Sequence, residues 1–241
     1  MSDLKRADLA LVEAGLAPTR SQATLLIEEG VVYYQNKQVK KSAEKVSTKM
    51  LEVRKEILYV SRGAHKIEGA LAHFHLDPKD MVVADVGAST GGFTDYVLNT
   101  KQAKKVYAID VGHDQLAQKL REDSRVINLE GVNIKNGYTL PEAVDLAVVD
   151  LSFISLRLVM PAIFSLVKKG GKIIALVKPQ FEVGRDGLDK NGIVKNEALR
   201  LETVKNLKEW CEENHFHVID QCVSPIAGKT GNVEYFFYLQ K

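Results

Sequence analysis

Residues 82–94 read VVADVGASTGGFT. The apolar run Val82–Val86 is a strand candidate because β-branched residues suit a pleated, buried surface. It passes into the turn Gly87-Ala88-Ser89-Thr90-Gly91-Gly92 and then a helix candidate from Phe93. Glycines between a strand and a helix let a ligand approach the backbone closely. The spacing is not G-x-G-x-x-G, and no Lys-Ser/Thr pair follows, so a P-loop is excluded. The next apolar strand, Val106-Tyr107-Ala108-Ile109, ends in Asp110, 25 residues after Asp85. An acid there can accept hydrogen bonds from both ribose hydroxyls of an adenosine. The competing reading of Asp110 is a turn or helix-cap residue. Asn133, beyond a third strand, is a candidate to face the adenine.

Outward from this stretch, strands are expected over 81–86, 105–111, 125–129, 144–151, 172–177, 217–223 and 234–239. Helices are expected over 66–75, 93–100, 114–120, 155–168 and 195–214. Nearly all-apolar strands alternating with helices indicate a parallel sheet covered on both faces. No helix separates the last two strands, so they are expected to pair antiparallel. The fold class is therefore α/β. The seven-strand pattern matches a Rossmann-like class I methyltransferase sheet better than a dinucleotide dehydrogenase.

The first 60 residues read differently. Leu4, Ala7, Leu11 and Ala14 lie at helical spacing, and a second helix is expected from Pro18 through Ala23, Leu26 and Ile27 towards Glu29 and Gly30. A β segment (31–34), a turn at Gln35-Asn36-Lys37, a short return (38–39) and one further strand over 45–54 complete a small α+β domain. The boundary is expected near 55–61, dividing the chain into domains 1–58 and 59–241. The chain of 241 residues carries a net charge of +2. Residues 1–60 hold ten Lys/Arg against eight Asp/Glu, whereas 61–241 hold 23 of each. The excess therefore lies where a polyanion would bind.

Four ionisable residues are expected to converge. Lys66 begins the helix before the first long strand, Asp150 ends the fourth, Lys178 ends the fifth, and Glu234 starts the last. Residues at the carboxyl ends of parallel strands line the ligand crevice of such sheets. A free lysine has a pKa of about 10.4, and burial near a second cation depresses it. Lys66 beside Lys178 would help Lys178 take the proton from a poor nucleophile such as a ribose 2′-hydroxyl, or stabilise the alkoxide. Asp150 and Glu234 would hold the ammonium groups. Separate surface ion pairs are the bland alternative.

At these residues the chain resembles a known family. Asp85–Phe93 (DVGASTGGF), Asp150–Phe153 (DLSF), Val177–Phe181 (VKPQF) and Ser61–Lys66 (SRGAHK) look like the TlyA-type, hemolysin-named methyltransferases of the wider FtsJ-like class. The resemblance implies ribose 2′-O-methylation of cytidine in ribosomal RNA within ribosomal subunits. It implies a catalytic Lys66, Asp150, Lys178 and Glu234. It also implies S-adenosylmethionine as methyl donor, held by Asp85, Gly87, Ser89, Thr90, Gly91, Gly92, Phe93, Asp110 and Asn133. The N-terminal residues Lys5–Asp8, Leu16–Ala23 and 27–32 resemble the RNA-binding domain of small-subunit ribosomal protein four. That resemblance makes Arg6, Arg20, Ser21, Lys37, Lys40, Lys41 and Arg62 candidates to contact RNA.

Other function classes are bounded more simply. The longest apolar region, 144–167, is interrupted by Asp145, Asp150 and Arg157, which makes a poor membrane span. The N-terminal residues show no cleavable apolar stretch. A cytoplasmic location is expected, and no membrane partner. Cys211 and Cys222 lack metal-ligand spacing and the six histidines are scattered, so no metal is expected. The alternatives are a membrane-active hemolysin-like protein and a noncatalytic RNA-binding ribosome assembly factor. The segment 182–196, rich in glycine and charge, is expected to be a mobile loop.

Overall fold

Lys5 and Arg6 do not open a helix; they form a two-residue strand, β1 (Lys5–Arg6). The computed structural model describes residues 4–28, 30–54 and 59–241 and comprises two units, Met1–Arg62 and Gly63–Lys241. Glu29 and residues 55–58, where the end of the second helix and part of the domain boundary were expected, lie outside the described residues. Helices α1 (Ala7–Glu13) and α2 (Arg20–Glu28) follow. They bury Ala7, Ala10, Leu11, Ala23, Leu26 and Ile27 in one apolar cluster, whereas Leu4 stays 49% exposed.

Strands β2 (Val32–Tyr34) and β3 (Lys37–Gln38) form a hairpin. Its turn is only two residues long, Gln35 and Asn36, with φ of 51° and 63°. Positive φ at both central positions is the geometry that matches strand twist, so Lys37 belongs to β3 and not to the turn. The strand expected over 45–54 is broken into β4 (Lys45–Val46) and β5 (Leu51–Val53), with a 3-10 turn between them. Ser47 Oγ accepts from the Lys49 amide there, a local bond that competes with strand pairing. As a result β4 pairs with β1 while β5 pairs with β2.

The second unit begins with α3 (Gly63–His73), so Lys66 lies in the first turn of the helix and does not start it. Next come β6 (Val82–Val86), α4 (Gly92–Asp95) continued by a π turn over Tyr96–Thr100, and β7 (Lys105–Ile109). A short α5 (Gln118–Arg121) and β8 (Val126–Leu129) follow. Only this fragment of the helix expected over 114–120 forms. The Glu130 carboxylate accepts the amides of Asp114, Gln115 and Leu116 at 2.9, 3.0 and 3.3 Å, which holds that stretch as a loop.

The remaining elements are β9 (Val144–Val149), α6 (Met160–Leu166), β10 (Val167–Val177), α7 (Glu197–Glu213), β11 (His217–Val223) and β12 (Tyr235–Gln240). The helix expected over 155–168 is thus a 3-10 turn (Leu156–Leu158) plus α6, and Val167 and Lys168 already belong to β10.

The seven strands run in the order β8-β7-β6-β9-β10-β12-β11. All pairings are parallel except those of β12, which is antiparallel to β10 and β11. Chain order reverses between β6 and β9, the switch point where open α/β sheets hold ligands. Period-two alternation sorts the faces. Val82, Ala84, Val86, Tyr235 and Phe237 pack with residues of α6 and α7 in one cluster. From the opposite face, Phe236 meets Phe93 (6.3 Å between ring centres) and Tyr238 meets Phe74 (5.1 Å).

Candidate active site

The crevice opens where β6 and β9 end. Gly87 continues β6 with φ +88°, and a Cβ built on it would lie 2.5 Å from the Asp150 carbonyl oxygen. Only glycine fits a turn that is both left-handed and pressed against a neighbouring strand end. The Asp150 amide in turn donates to the Val86 carbonyl at 3.0 Å, so the two strand ends are locked in register. Beyond them lies a cavity of about 500 Å³ whose wall includes Gly87, Ser89, Asp110, Asn133, Asp150 and Ser152. That volume falls within the roughly 300–1,000 Å³ of small-molecule sites.

Asp110 is held as a rigid acceptor. One oxygen takes the Ser89 amide at 2.8 Å and the other the Gly112 amide at 2.7 Å. Each carboxylate oxygen has a further lone pair, so both can still accept a ribose hydroxyl. Ile109, Val132 and Ile134 add apolar wall suited to an adenine ring. Asn133 lines the cavity, but its Oδ1 also accepts the Lys135 amide at 3.1 Å, which makes it a turn-capping residue as well.

The rest of the glycine turn is placed differently from the expectation. Asp85, Thr90, Gly91, Gly92 and Phe93 are not on the cavity wall. The reason is strand alternation: Asp85 points to the α4 face, where its Oδ2 accepts the Thr94 amide (2.9 Å) and hydroxyl (2.6 Å). Its Oδ1 is buried without a hydrogen-bond partner. Burial, opposed by the Thr94 bonds and reinforced by Asp150 and Asp110, pushes the Asp85 carboxyl up to about 7. Gly91, at φ +92°, starts α4 against Leu116 and Leu120. These residues shape the turn from behind.

The four ionisable residues form two ion pairs. Lys66 Nζ donates to Glu234 Oε2 at 2.7 Å, with side chains 12% and 3% exposed. Lys178 Nζ lies 2.5 Å from Asp150 Oδ1, with 9% and 22% exposed. Asp150 Oδ1 has no aligned hydrogen-bond donor, so this is a charge contact more than a directed bond. Lys178 also donates to Ser152 Oγ at 2.9 Å. The two pairs are adjacent through the sheet. Val177 opposes Tyr235 in the antiparallel β10–β12 register, so Lys178 and Glu234, each one residue beyond, continue that register. Glu234 therefore precedes β12 and does not start it. Gln180 Nε2 reaches Glu234 Oε1 at 3.4 Å. Each lysine is held by a carboxylate, Lys66 by Glu234 and Lys178 by Asp150, as the sequence reading expected.

Phe153 escaped the sequence reading as a site residue. It is 91% exposed, lines the cavity, and adopts φ 63°. Positive φ is uncommon for a bulky residue. Its ring lies 5.2 Å from that of Phe181. Motif position was the one available signal, because an exposed aromatic leaves no periodicity. The segment 182–196 is hydrogen-bonded within itself and, at Val194, to Asn232. Asp189 accepts the Asn191 and Ile193 amides at 2.8 and 2.9 Å, and buried Asn232 accepts the Val194 amide at 3.0 Å.

In the first unit, Arg6 forms two bonds to Asp8 (3.0 and 3.1 Å) and Arg20 a third (2.9 Å). The Arg6 and Arg20 guanidiniums, against the cost of burial, hold the Asp8 carboxyl down at about 2. Arg62 pairs with Glu28 at 3.3 Å. Ser21 is exposed in the first turn of α2. Lys37, Lys40 and Lys41 are exposed, and among the described residues their ammonium groups enter no ion pair.

Comparison with known proteins agrees with this architecture. The FtsJ-like methyltransferase family matches residues 59–241, and the S4 domain matches residues 5–52. The 16S/23S rRNA (cytidine-2′-O)-methyltransferase TlyA of Mycobacterium tuberculosis is 43% identical over 247 residues, covering 100% of this chain and 91% of its own. Hemolysin A of Brachyspira hyodysenteriae is 38% identical, covering 95% and 97%. A solved structure from Streptococcus thermophilus that carries the hemolysin name is 38% identical, with a TM-score of 0.76, covering 100% of this chain and 90% of that one.

Proposed function

The chain belongs to the FtsJ-like methyltransferase family and carries an S4 domain, and from that premise we propose that it methylates a cytidine ribose 2′-hydroxyl of ribosomal RNA in ribosomal subunits. S-adenosylmethionine is the methyl donor in this reading. The observation that carries it is the pair of largely buried ion pairs, Lys178–Asp150 and Lys66–Glu234, the first of which reaches a cavity of nucleoside size through Asp150. The glycine cradle, the two-oxygen acceptor Asp110 and the apolar wall fit an adenosyl group. When bound, the donor supplies an electrophilic methyl on a sulfonium.

The chain's own residues handle the nucleophile. An ammonium has three N–H donors. Ser152 takes one N–H of Lys178 and the charge of Asp150 holds the ammonium in place, which leaves N–H donors for the ribose oxygen. The proton passes to the Asp150 carboxylate, which lines the cavity and has an oxygen without a hydrogen-bond partner, and the fixed positive charge of Lys178 stabilises the negative charge left on the ribose oxygen. Lys66, fixed by Glu234, adds a second cation to the same edge. The ring of Phe153 offers a face on which the target base can stack. In the first unit, exposed Lys37, Lys40 and Lys41 are suited to phosphate contacts, which position RNA without reading its sequence. Arg6 and Arg20 would have to share or exchange Asp8 to join them.

The proposal assigns the domains as 1–58 for RNA binding and 59–241 for methyl transfer. The test is transfer of a labelled methyl group to purified ribosomal subunits, followed by mapping of ribose methylation. Absence of transfer with intact RNA binding would favour the assembly-factor reading. Lysis of lipid vesicles by the pure protein would favour the hemolysin reading. Among the described residues no helix is long and apolar enough to cross a membrane.

A further inference from the structure

Two loops carry the crevice. One, after β9, holds Asp150, Ser152 and Phe153. The other, after β10, holds Lys178, Gln180 and Phe181. Glu182 joins them at a point away from the cavity wall. Its Oε2 accepts the Ser155 hydroxyl at 2.7 Å and its Oε1 accepts the Leu156 amide at 2.7 Å. Ser155 Oγ accepts the Arg157 amide at 3.2 Å, so one carboxylate both bridges the loops and completes the cap of the 3-10 turn Leu156–Leu158. Burial raises the Glu182 carboxyl above its ordinary value, while the bonds from Ser155 and Leu156 and the charge of Arg157 oppose that rise. A carboxylate kept in such surroundings has its cost offset only by well-made bonds.

We propose that Glu182 is a positioning residue for methyl transfer: it clamps the 150–156 loop to the 178–182 loop and so fixes Asp150 and Ser152 against Lys178. This rests on the functional reading above. The argument is geometric. The Lys178–Asp150 charge contact is undirected, so nothing in the pair itself sets the position of the aspartate loop. The Phe153–Phe181 ring contact at 5.2 Å spans the same gap but is exposed at the mouth. Lys178 bonds Ser152 Oγ at 2.9 Å and the Asp150 amide bonds Val86 at 3.0 Å, and Glu182 adds the directional bonds that hold the outer part of the loop, Ser155 and Leu156, to the 178–182 loop. Without them Asp150 and Ser152 can move relative to Lys178, and a misplacement of about 1 Å can cost roughly 100-fold in rate. Asp110, at the end of β7, is held by the Ser89 and Gly112 amides and not by Glu182, so donor binding should change little.

The experiment uses the full chain with Glu182→Ala, Glu182→Gln and Ser155→Ala. It measures kcat, KM for the methyl donor, binding of S-adenosylhomocysteine, and hydrogen exchange of the Leu156 amide. Glutamine retains an acceptor for the Leu156 amide and can donate to Ser155 Oγ. The expected result for Glu182→Ala is a kcat lowered about 10- to 100-fold, a donor KM within about threefold, and faster Leu156 exchange. Glu182→Gln should recover kcat to within about threefold of wild type, and Ser155→Ala should fall between. Wild-type kcat in Glu182→Ala with an exposed Leu156 amide overturns the proposal. So does an equal loss of S-adenosylhomocysteine binding and kcat, which marks collapse of the whole pocket. Should Glu182→Ala not fold, the Gln and Ser155 variants decide by the same criteria. If the wild type transfers no methyl group, the functional reading fails by itself. Leu156 exchange then judges the clamp alone, and unchanged exchange in the variants overturns it.

Discussion

The crevice of the second unit and the basic face of the first use cations in opposite ways. In the crevice, Lys66 and Lys178 are 12% and 9% exposed, and each has its own carboxylate. In the first unit, Arg6 and Arg20 are 42% and 61% exposed and share the single buried Asp8, while three lysines stand in solvent. A largely buried pair is positioned at the expense of desolvation, and removing one partner strands the other. An exposed cation is screened by salt and replaceable by its neighbours. Under the proposed function, chemistry therefore depends steeply on single residues in the crevice, and binding shallowly on many exposed cations of the first unit.

The steepest test of that contrast is Lys178→Ala or Asp150→Ala. Each should lower kcat by about 100- to 10,000-fold, measured as labelled methyl incorporation into ribosomal subunits, with RNA affinity little changed. Equal incorporation by the variants would remove these residues from the reaction. Next comes Phe153→Ala, which tests whether the crevice grips a base. Stacking is worth about 1–3 kcal/mol per base, so KM for RNA should rise roughly 5- to 150-fold while adenosyl affinity holds. The reverse pattern would place Phe153 on the donor side.

The double variant Lys40→Ala/Lys41→Ala probes the other half of the comparison. RNA affinity should fall modestly, and the slope of log affinity against log salt should lessen by about 0.7–0.9 per lost phosphate contact. kcat at saturating RNA should stay at the wild-type value, and a lowered kcat would break the division of labour. The smallest effect is a pH dependence of stability. Asp85 is raised from 3.8 to about 7, so its contribution is fully present below its unfolded pKa and is lost as pH rises through about 7. Asp85→Asn should therefore gain stability over wild type above pH 7 and not at pH 4, read from urea midpoints. A pH-independent difference would refute the buried-carboxylate account.

Much of the fold was legible because its signals are local. Apolar runs marked every strand of the large sheet to within a few residues, and the missing helix before β12 announced its antiparallel pairing. Several misreadings share one cause, side chains that bond to backbone in place of regular structure. Glu130, 14 to 16 residues away, dissolved the helix expected at 114–120. Ser47 split a strand through its bond to the Lys49 amide. Within the site, Gly87 and Asp110 were legible from the strand–turn–helix pattern. Asp85, Thr90, Gly91, Gly92 and Phe93 belong to the same strand and turn but lie behind the cavity wall, where strand alternation and the left-handed turn at Gly91 place them. Asp8 has no sequence signature that would show it holding two arginines.

By itself the sequence determined the strands of the large sheet and most of its helices, where glycine permits close approach, and that an acid follows the second long strand. These depend on periodicities of two and 3.6 residues and on backbone sterics, which neighbouring residues settle. Tertiary structure alone decided that Lys66 meets Glu234 across 168 residues, that Asp150 faces Lys178, and that Glu182 joins their loops. Such contacts arise when strand order and register bring remote chain segments side by side, and no short window of residues encodes that placement.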